Sequence, residues 1–308
     1  MDTTASIAKW QNNAKAAFAL YYDDGCNSVM DIVIPCLRKY NIPGTFYLCT
    51  GWYKDKEWEL QRWFDQADDK IVFIGNHSVG HCGAKTLKIV EEEICNNDKV
   101  LRDGLKYPAK KILSYGRPGG CCWNATIEEE KVILDSVNTL RREGMKPDGS
   151  EYAGGLSIKS YDDAKNALDA IEASGNNDYI IFHGVGGDWF YFPALDHELL
   201  VQDIATRKAK GNLWVAASVD IHKYITERDN ASLKVLPTDN DEEIKLELSV
   251  GTDPESFDTP LSIVVDVPEE WLVAKLCQGN VSYAVPVMKG KACFNVAPVN
   301  GEIIITKR

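Results

Sequence analysis

The feature that most constrains the fold is an alternation of short apolar runs with helical patterns, which repeats about seven times before residue 229. Each apolar run has the length and composition of a buried strand, and apolar residues at helical spacing follow it. Strand followed by helix, repeated in this way, is typical of a parallel sheet, and this number of units indicates a barrel. The predicted strands are 16–22, 45–49, 71–74, 112–115, 179–182 and 214–217.

The helical segments carry boundary signals of their own. Over 29–40, apolar residues recur at helical spacing, Pro35 predicts a kink, and Asn41 marks the end. The segment 126–142 opens with three glutamates that favour a helix N-terminus, but its end at 137–140 also fits a strand. The remaining predicted helices are 87–101, 162–173, 196–208 and the segment from 218 to about 227.

From about residue 230 the pattern changes to short strands separated by turn signals, such as Asp253-Pro254 and Asn300-Gly301. About eighty residues of this kind predict a small all-β, sandwich-like fold. We therefore predict a barrel domain at 1–230 and an accessory β-sandwich at 231–308. The strand-like segments are 244–248, 263–267, 292–296 and 302–306.

Composition excludes some classes of partner. The net charge is -12 and no basic stripe is visible, which argues against nucleic acid. No run of eighteen apolar residues exists, so no membrane span is predicted. The first residues lack the basic and apolar regions of a signal peptide. We favour a secreted or periplasmic protein whose leader is absent from this chain, with a cytoplasmic one as the alternative.

The nine cysteines are an odd number and include no C-x-x-C pair. Cys36 and Cys49 lie inside apolar segments, where free cysteine behaves as a small hydrophobic residue. We expect most of the cysteines to be reduced core residues. The adjacent pair Cys121-Cys122 is unusual, and its reactivity is left open.

Polar residues follow several predicted strands directly. Chemistry in parallel barrels gathers at the C-terminal ends of the strands, so these side chains are expected at one face. Taken singly each is a weak signal, because acidic turns, loop arginines and hydrogen-bonded core histidines are common. The residues at predicted strand ends are Asp23, Asp24, His77, Arg117 and His183.

The most informative segment is Asn76-His77-Ser78-Val79-Gly80-His81. Two imidazoles four residues apart on a helical turn lie on one side and can reach one metal ion. A carboxylate from a distant strand end can supply a third ligand. Three protein ligands leave positions open for water and substrate, which is the arrangement of a catalytic metal site rather than a closed structural one.

Together these motifs resemble the polysaccharide deacetylase family, carbohydrate esterase family 4. Its first motif, Thr-Phe-Asp-Asp-Gly, is matched by Tyr21-Tyr22-Asp23-Asp24-Gly25. Its second, His-Ser/Thr-x-x-His, is matched by the segment from His77 to His81, and its last, an apolar strand ending in histidine, by Ile181-Phe182-His183. The motifs follow the family order over residues 15–225.

The resemblance implies a distorted (β/α)7 barrel that hydrolyses an acetyl group from an N- or O-acetylated sugar. In this scheme Asp23 is the general base, His183 is the general acid, and Arg117 orients Asp23. Backbone N–H groups near 119–121 stabilise the oxyanion. The partner is an acetylated oligo- or polysaccharide.

The resemblance also implies one divalent metal ion held by Asp24, His77 and His81. Imidazole and carboxylate ligands suit zinc best, while cobalt and nickel also fit.

The sequence departs from the family pattern at three motifs, and in the first of them Tyr21 and Tyr22 replace Thr-Phe. The third family motif has a residue between its arginine and proline, whereas Arg117 and Pro118 are adjacent. The Asp-x-x-Asp-Trp motif is absent, a different segment at 146–157 stands in that region, and Asp188-Trp189 is a candidate for shaping the acetyl pocket. Two alternatives therefore stay open, a carbohydrate-binding pseudo-enzyme of the same fold and a metal-dependent amidohydrolase acting on a non-sugar amide.

Overall fold

A computed structural model of the chain describes residues 3–142 and 158–308. The chain divides into two compact units, one formed by residues 16–222 and the other by 1–15 together with 223–308. We call them the barrel unit and the β unit. The segment 146–157, which stands where the family's fourth motif would lie, falls outside the described residues.

The barrel unit is built on a parallel sheet of seven strands, as the alternating pattern predicts. The strand order is β6-β5-β4-β3-β2-β7, and β8 also pairs with β2. Every pairing in the sheet is parallel, and helices connect most of the strands, so the prediction of a distorted (β/α) barrel is confirmed. The strands are β2 (Ala16–Tyr22), β3 (Gly44–Leu48), β4 (Val72–Asn76), β5 (Leu113–Tyr115), β6 (Thr139–Arg141), β7 (Asn177–Phe182) and β8 (Leu213–Val215).

The helices follow the predicted segments closely and add one that the sequence analysis missed, α2, which follows a 3-10 turn. The helices are α1 (Ile34–Tyr40), α2 (Glu57–Gln66), α3 (Leu87–Leu105), α4 (Ile127–Ser136), α5 (Tyr161–Ser174), α6 (Ala194–Ala209) and α7 (Ser218–Asp229). No helix among the described residues is long and apolar enough to cross a bilayer.

The predicted kink at Pro35 takes the form of a change in helix type. Val29–Val33 is a π-helix that runs directly into α1, where the proline lies at the second position. A proline there has no N–H to donate to the preceding turn, which favours such a local widening. The helix ends at Asn41, which caps it in the left-handed conformation at φ 53°.

The segment with two interpretations, 126–142, contains both a helix and a strand. Thr126 caps α4 by accepting a hydrogen bond from Glu129 N–H, and the Glu129 side chain accepts from Thr126 N–H in return. After α4 ends at Ser136, β6 pairs in parallel with β5. This short strand brings Arg142 to the face of the barrel where the other strands end.

Every strand pairing in the described part of the β unit is antiparallel, which confirms the predicted all-β fold. Buried apolar residues alternate along its strands, for example Ile244, Leu246 and Leu248 in β10. Its strand order is β1-β11-β14-β13-β12-β15-β10-β9. The strands are β1 (Ala5–Ile7), β9 (Ala231–Leu236), β10 (Glu243–Val250), β11 (Leu261–Asp266), β12 (Val273–Gln278), β13 (Val281–Met288), β14 (Lys291–Val296) and β15 (Gly301–Lys307).

No sequence pattern predicts β1. This strand pairs with β11, so residues 5–7 belong to the β unit and not to the barrel that follows them in sequence.

Candidate active site

The polar residues at the predicted strand ends gather at one face of the barrel. Asp23 and Asp24 directly follow β2, His77 follows β4, and His183 follows β7. The peptide N–H of Asp23 still donates to the carbonyl of Phe182 at 2.9 Å, so the carboxylates begin where the sheet ends. Parallel strands place their C-terminal ends side by side, which is why residues 160 positions apart can meet here.

Asp24, His77 and His81 form a compact set of possible metal ligands. One ligand atom from each lies within 4.8 Å of the other two. Oδ1 of Asp24 is 3.3 Å from Nε2 of His77 and 3.7 Å from Nε2 of His81. Asp24 and His77 are buried, and His81 is partly exposed. A buried carboxylate with two imidazoles is the donor chemistry of a site for zinc or a similar divalent ion.

The backbone carbonyl of Gly116 fixes the orientation of His77. It lies 2.7 Å from Nδ1 of His77, and because a carbonyl only accepts, this nitrogen carries the proton. In the neutral ring Nε2 then faces Oδ1 of Asp24 with a lone pair. That carboxylate oxygen is buried and has no hydrogen-bond partner. Two facing acceptors in a buried site are satisfied by a cation, so the residues fit a metal ion.

His77 and His81 do not lie on a helical turn, and that expectation was wrong. The segment between them is an irregular loop in which Ser78 and His81 have left-handed φ angles of 65° and 55°. The loop is fixed by its own contacts, because His81 N–H donates to Oγ of Ser78 (3.1 Å) and Gly80 N–H donates to the carboxylate of Glu93 (2.9 Å). The spacing brings both rings to Asp24 through this bent loop.

The second carboxylate oxygen of Asp24 faces Trp189 and His183. The indole N–H of Trp189 donates to Oδ2 at 2.8 Å, and Nε2 of His183 lies 3.8 Å from the same oxygen. Burial alone would raise the pKa of Asp24, but the charge that His77 can carry beside Oδ1 and the Trp189 hydrogen bond to Oδ2 lower that pKa to about 2. The carboxylate is therefore ionised at neutral pH.

The pKa of His77 moves in the opposite sense. Burial lowers this pKa, yet the neighbouring carboxylates of Asp23 and Asp24 outweigh burial and raise the pKa above its ordinary value. Both shifts describe a site that attracts positive charge.

Asp23 is held by an arginine that the sequence analysis did not select. Nη1 and Nη2 of Arg142 donate to the two carboxylate oxygens of Asp23 at 2.7 and 3.1 Å. Burial raises the pKa of Asp23, but the Arg142 guanidinium and His77 more than offset this and lower the pKa. Arg117 was expected to orient Asp23, but it points elsewhere. Its Nη2 donates to the carbonyl of Trp123 at 2.7 Å.

An exposed aromatic rim borders the site, formed by Trp52, Trp189 and Phe190 together with Tyr191, the next residue in the chain. The ring of Trp52 lies 6.0 Å from that of His81 and 5.8 Å from that of Trp189, while Phe190 lies 5.4 Å from His183. The four side chains are 42%, 43%, 69% and 63% exposed. Five aromatic side chains in the described residues are at least 42% exposed, and four of them are here. Aromatic surface is therefore concentrated beside the possible metal ligands.

Comparison with known protein families gives a match over residues 11–132, to the family described as polysaccharide deacetylase. The predicted resemblance to the polysaccharide deacetylase family is confirmed. The matched segment contains Asp23, Asp24, His77 and His81, whereas His183 lies beyond it.

Several solved structures of polysaccharide deacetylase relatives are similar to this chain. One is a mutant, with restored enzymatic activity, of a family 4 pseudoenzyme from Bacillus anthracis (15% identity, 68% of each chain covered, TM-score 0.48). Another is a peptidoglycan deacetylase from Bacillus subtilis (14% identity, 70% of this chain and 93% of that chain, TM-score 0.47). A third is an acetyl xylan esterase from Clostridium thermocellum with a cobalt ion (19% identity, 67% and 89%, TM-score 0.46). No curated protein sequence matches this chain.

Compared with the family pattern, the structure adds two functional candidates that sequence reasoning missed. Arg142 lies ten residues beyond the matched segment, at the end of a strand of only three residues. Trp52 lies in a 3-10 turn after β3, and its indole N–H donates to the carbonyl of Gly80 at 3.0 Å. The only sequence signal that could have indicated Arg142 is its position just after a strand. That signal required the interpretation of 137–140 as a strand and not as the end of a helix.

Proposed function

We propose that this chain is a metal-dependent hydrolase that removes acetyl groups from an acetylated carbohydrate. One observation carries the proposal. A buried Asp24 oxygen without a hydrogen-bond partner faces two imidazole nitrogens, next to a second carboxylate that an arginine holds in place. This pairing of a possible metal site with a separate fixed carboxylate supports hydrolysis of a carbonyl compound.

Asp24, His77 and His81 would hold one divalent ion, with zinc favoured by the donor set and cobalt or nickel as alternatives. When bound, such an ion supplies Lewis-acid polarisation of an acetyl carbonyl and lowers the pKa of a water molecule. Trp189 keeps Asp24 in place from the other side, through its hydrogen bond to Oδ2. Gly116 keeps His77 in the tautomer that presents Nε2 to the site.

Asp23 is the proposed general base. Its Oδ2 lies 3.8 Å from Nε2 of His77, so it borders the same small space as the possible ligands without belonging to the set that converges on Oδ1 of Asp24. The ion pair with Arg142 keeps Asp23 ionised and therefore able to accept a proton from a water molecule.

His183 is the proposed general acid. It approaches Asp24 from the Oδ2 side, with its Nε2 3.8 Å from that oxygen, whereas His77 and His81 approach Oδ1. A partly exposed imidazole in this place can donate a proton to a departing amine or alkoxide. The backbone N–H groups at 119–121 remain the proposed contact for the oxyanion.

The aromatic rim favours a carbohydrate substrate over a small non-sugar amide. The apolar face of a pyranose ring packs well on an exposed indole or phenyl ring, and exposed aromatic surface near a site indicates a binding partner. The hydrogen bonds from Trp52 to Gly80 and from Trp189 to Asp24 fix two of these rings next to the proposed metal ligands. A small acetamide would leave most of this surface unused.

The test is acetate release from chitooligosaccharides, from acetylated xylan and from a small aryl acetamide. Each is assayed with the metal-loaded protein, after chelation, and after zinc or cobalt is restored. We expect acetate from at least one glycan, loss with chelator and recovery with metal. Glycan binding without acetate release in any loaded state would favour the pseudo-enzyme. Faster hydrolysis of the aryl acetamide than of every glycan would favour the amidohydrolase.

A further inference from the structure

We propose that Arg142 is the positioning residue for the general base Asp23, and that it replaces the arginine of the family's third motif in this task. The proposal rests on the proposed function, since it assigns a role toward a residue of that site. Neither the matched segment nor the family motifs include Arg142, which lies at the end of β6.

The contact between Arg142 and Asp23 is a two-pronged ion pair. Two N–H groups donate to two carboxylate oxygens, which fixes the plane of the carboxylate as well as its position. The Arg142 side chain is fully buried. Its guanidinium lies 4.8 Å from the ring centre of Tyr47 and 5.5 Å from that of Tyr21, so aromatic faces flank the charge. A guanidinium confined in this way has little freedom to move away from Asp23.

The strand register directs Arg142 into the site. Side chains of successive residues in a strand point to opposite faces. Arg141 pairs with the buried carboxylate of Glu130 at 3.0 Å, and the next residue, Arg142, points to Asp23. The peptide N–H of Arg142 donates to the carbonyl of Tyr115 at 2.8 Å, which anchors this residue to the end of β5. If β6 paired with β5 one residue out of register, Arg141 would take the position facing Asp23 and Arg142 the position facing Glu130.

Two glycines leave space for Arg142 and for the Tyr47 ring beside it. A Cβ on Gly116 would lie 2.8 Å from Nη1 of Arg142, and one on Gly75 would lie 2.6 Å from the ring of Tyr47. The carbonyl of Gly116 also fixes His77, so one residue both clears the path of Arg142 and orients a proposed metal ligand. The site is therefore shaped around an arginine that comes from β6.

Arg117 is engaged in a different contact. It donates to the carbonyl of Trp123 and lies 6.0 Å from the Trp123 ring, while the Trp123 indole N–H donates to Glu130 at 2.9 Å. This links Arg117 to the loop between β5 and α4. With Pro118 directly after it, the third-motif arginine of this chain supports the loop rather than the base.

The experiment compares Arg142→Met, Arg142→Lys and Arg117→Met with the wild type, all loaded with zinc, in acetate release from a glycan that the wild type deacetylates. Arg142→Met should lower kcat by about 10- to 100-fold and change KM by less than about threefold, because a misplaced base slows the chemical step and leaves binding intact. Added guanidinium, far below unfolding concentrations, should restore part of this kcat. The kcat of Arg117→Met should be at least about tenfold higher than that of Arg142→Met, because the Arg117 substitution leaves the base in position.

Arg102→Met serves as the control for removing a partly buried arginine that pairs with a buried carboxylate. Arg102 pairs with the buried Asp98 at 2.6 Å and donates to the carbonyls of Val137 and Asn138, at the start of β6 rather than its end. This variant should lower Tm and leave kcat per folded molecule unchanged. Equal losses of kcat in Arg102→Met and Arg142→Met would overturn the proposal, because stability alone would then explain both.

A crystal structure of zinc-loaded Arg142→Met provides a readout that does not depend on turnover. The carboxylate of Asp23 should leave its wild-type position while the zinc stays bound. An unmoved Asp23 would overturn the proposal even if kcat fell. If Arg142→Met does not fold, Arg142→Lys serves in its place, because lysine keeps the positive charge but cannot make the bidentate contact with the carboxylate of Asp23. A wild type without acetate release would contradict the proposed function, and the Asp23 position would still decide the role of Arg142.

Discussion

The site face of the barrel unit and the interior of the β unit follow opposite rules. At the site, five non-glycine residues adopt left-handed φ angles: Asp24, Ser78, His81, Asp188 and Phe190. In the described part of the β unit such residues are Asn12, Asn13 and Lys289, which lie in turns. The β unit buries alternating aliphatic side chains and contains no histidine, since the five histidines of the chain all lie within residues 16–222.

This difference distinguishes residues that stabilise the fold from residues that are proposed to act in binding and catalysis. A left-handed non-glycine residue costs about 1–3 kcal/mol and persists only where surrounding contacts enforce it. A buried carboxylate oxygen without a partner is similarly costly. The site face combines both features with exposed aromatic surface, and the β unit has a regular apolar core. Substitutions in the two regions should therefore differ in kind, with loss of chemistry in one and loss of stability in the other.

The largest expected effect is that of removing a proposed metal ligand. His81→Ala should lose the metal and at least about 1,000-fold of the acetate release, because the ion supplies several kcal/mol of stabilisation to the reacting carbonyl. The barrel should still fold, since its core is apolar and independent of the site. Elemental analysis, circular dichroism and acetate release check this together. Full metal occupancy in the variant would contradict the ligand set.

The next effect is that of Asp23→Asn, which removes the proposed base and keeps the ligands. We expect about a 100-fold loss of kcat with metal content unchanged, because general-base catalysis contributes about 100- to 10,000-fold. The comparison of Asp23→Asn with His81→Ala separates loss of the base from loss of the metal. Turnover equal to that of the wild type would refute the assignment of Asp23.

A core substitution in the β unit should lower stability and leave catalysis intact, which is the opposite of the result expected for the two site substitutions. Leu246 is fully buried in β10, and Leu246→Ala should lower the free energy of unfolding by about 2–5 kcal/mol through lost burial and a cavity. The kcat per folded molecule should not change. Urea unfolding and activity normalised to metal content are the measurements. A loss of kcat comparable to that of Asp23→Asn would show that the two regions do not divide the work as proposed.

The smallest effect is a pH dependence of stability expected from the barrel unit. His197 is fully buried with its Nε2 2.8 Å from the Tyr22 hydroxyl, and burial lowers its pKa to about 3. The unfolded chain takes up this proton near pH 6.5 and the folded chain does not. The stability contributed by neutral His197 is therefore complete above pH 6.5 and is lost as the pH falls toward 3. The slope approaches about 1.4 kcal/mol per pH unit.

Urea unfolding of the wild type and of His197→Phe at pH 7 and pH 5.5 tests this slope. The difference between the two proteins isolates His197 from the opposite contribution of His77. The variant should lose less stability on acidification than the wild type does. Equal losses would show that His197 does not remain neutral in the folded protein.

The sequence predicts the parts of the fold that depend on long apolar runs. The runs 16–22 and 179–182 correspond to β2 and β7, and the residues after them do lie at the site face. Burial on both sides makes these strands apolar throughout, so their ends are easy to locate. The positions of Asp23, Asp24 and His183 at strand ends followed directly.

The features that escaped prediction depend on short segments and distant contacts. Three-residue strands such as β1 and β6 are too short to show a periodicity, so β1 was missed and a strand was only one of two interpretations of 137–140. The left-handed turns at Ser78 and His81 follow from contacts with Glu93 and within the loop, which spacing alone does not reveal. Arg142 was missed for the same reason, because its role depends on the register of β6.

The pairing of β1 with β11 has a consequence for how the polypeptide is made. Ala5 and its neighbours leave the ribosome well before their partners at 263–265, which are synthesised more than 250 residues later. At about 5–20 residues per second, this strand waits roughly 13 to 50 seconds for its partner. The whole barrel segment emerges during that interval. It can therefore fold before β1 and β11, which lie on either side of it in the sequence, pair with each other. A nascent chain stalled before residue 261 should expose β1 to proteases and chaperones, and release of the full chain should protect it.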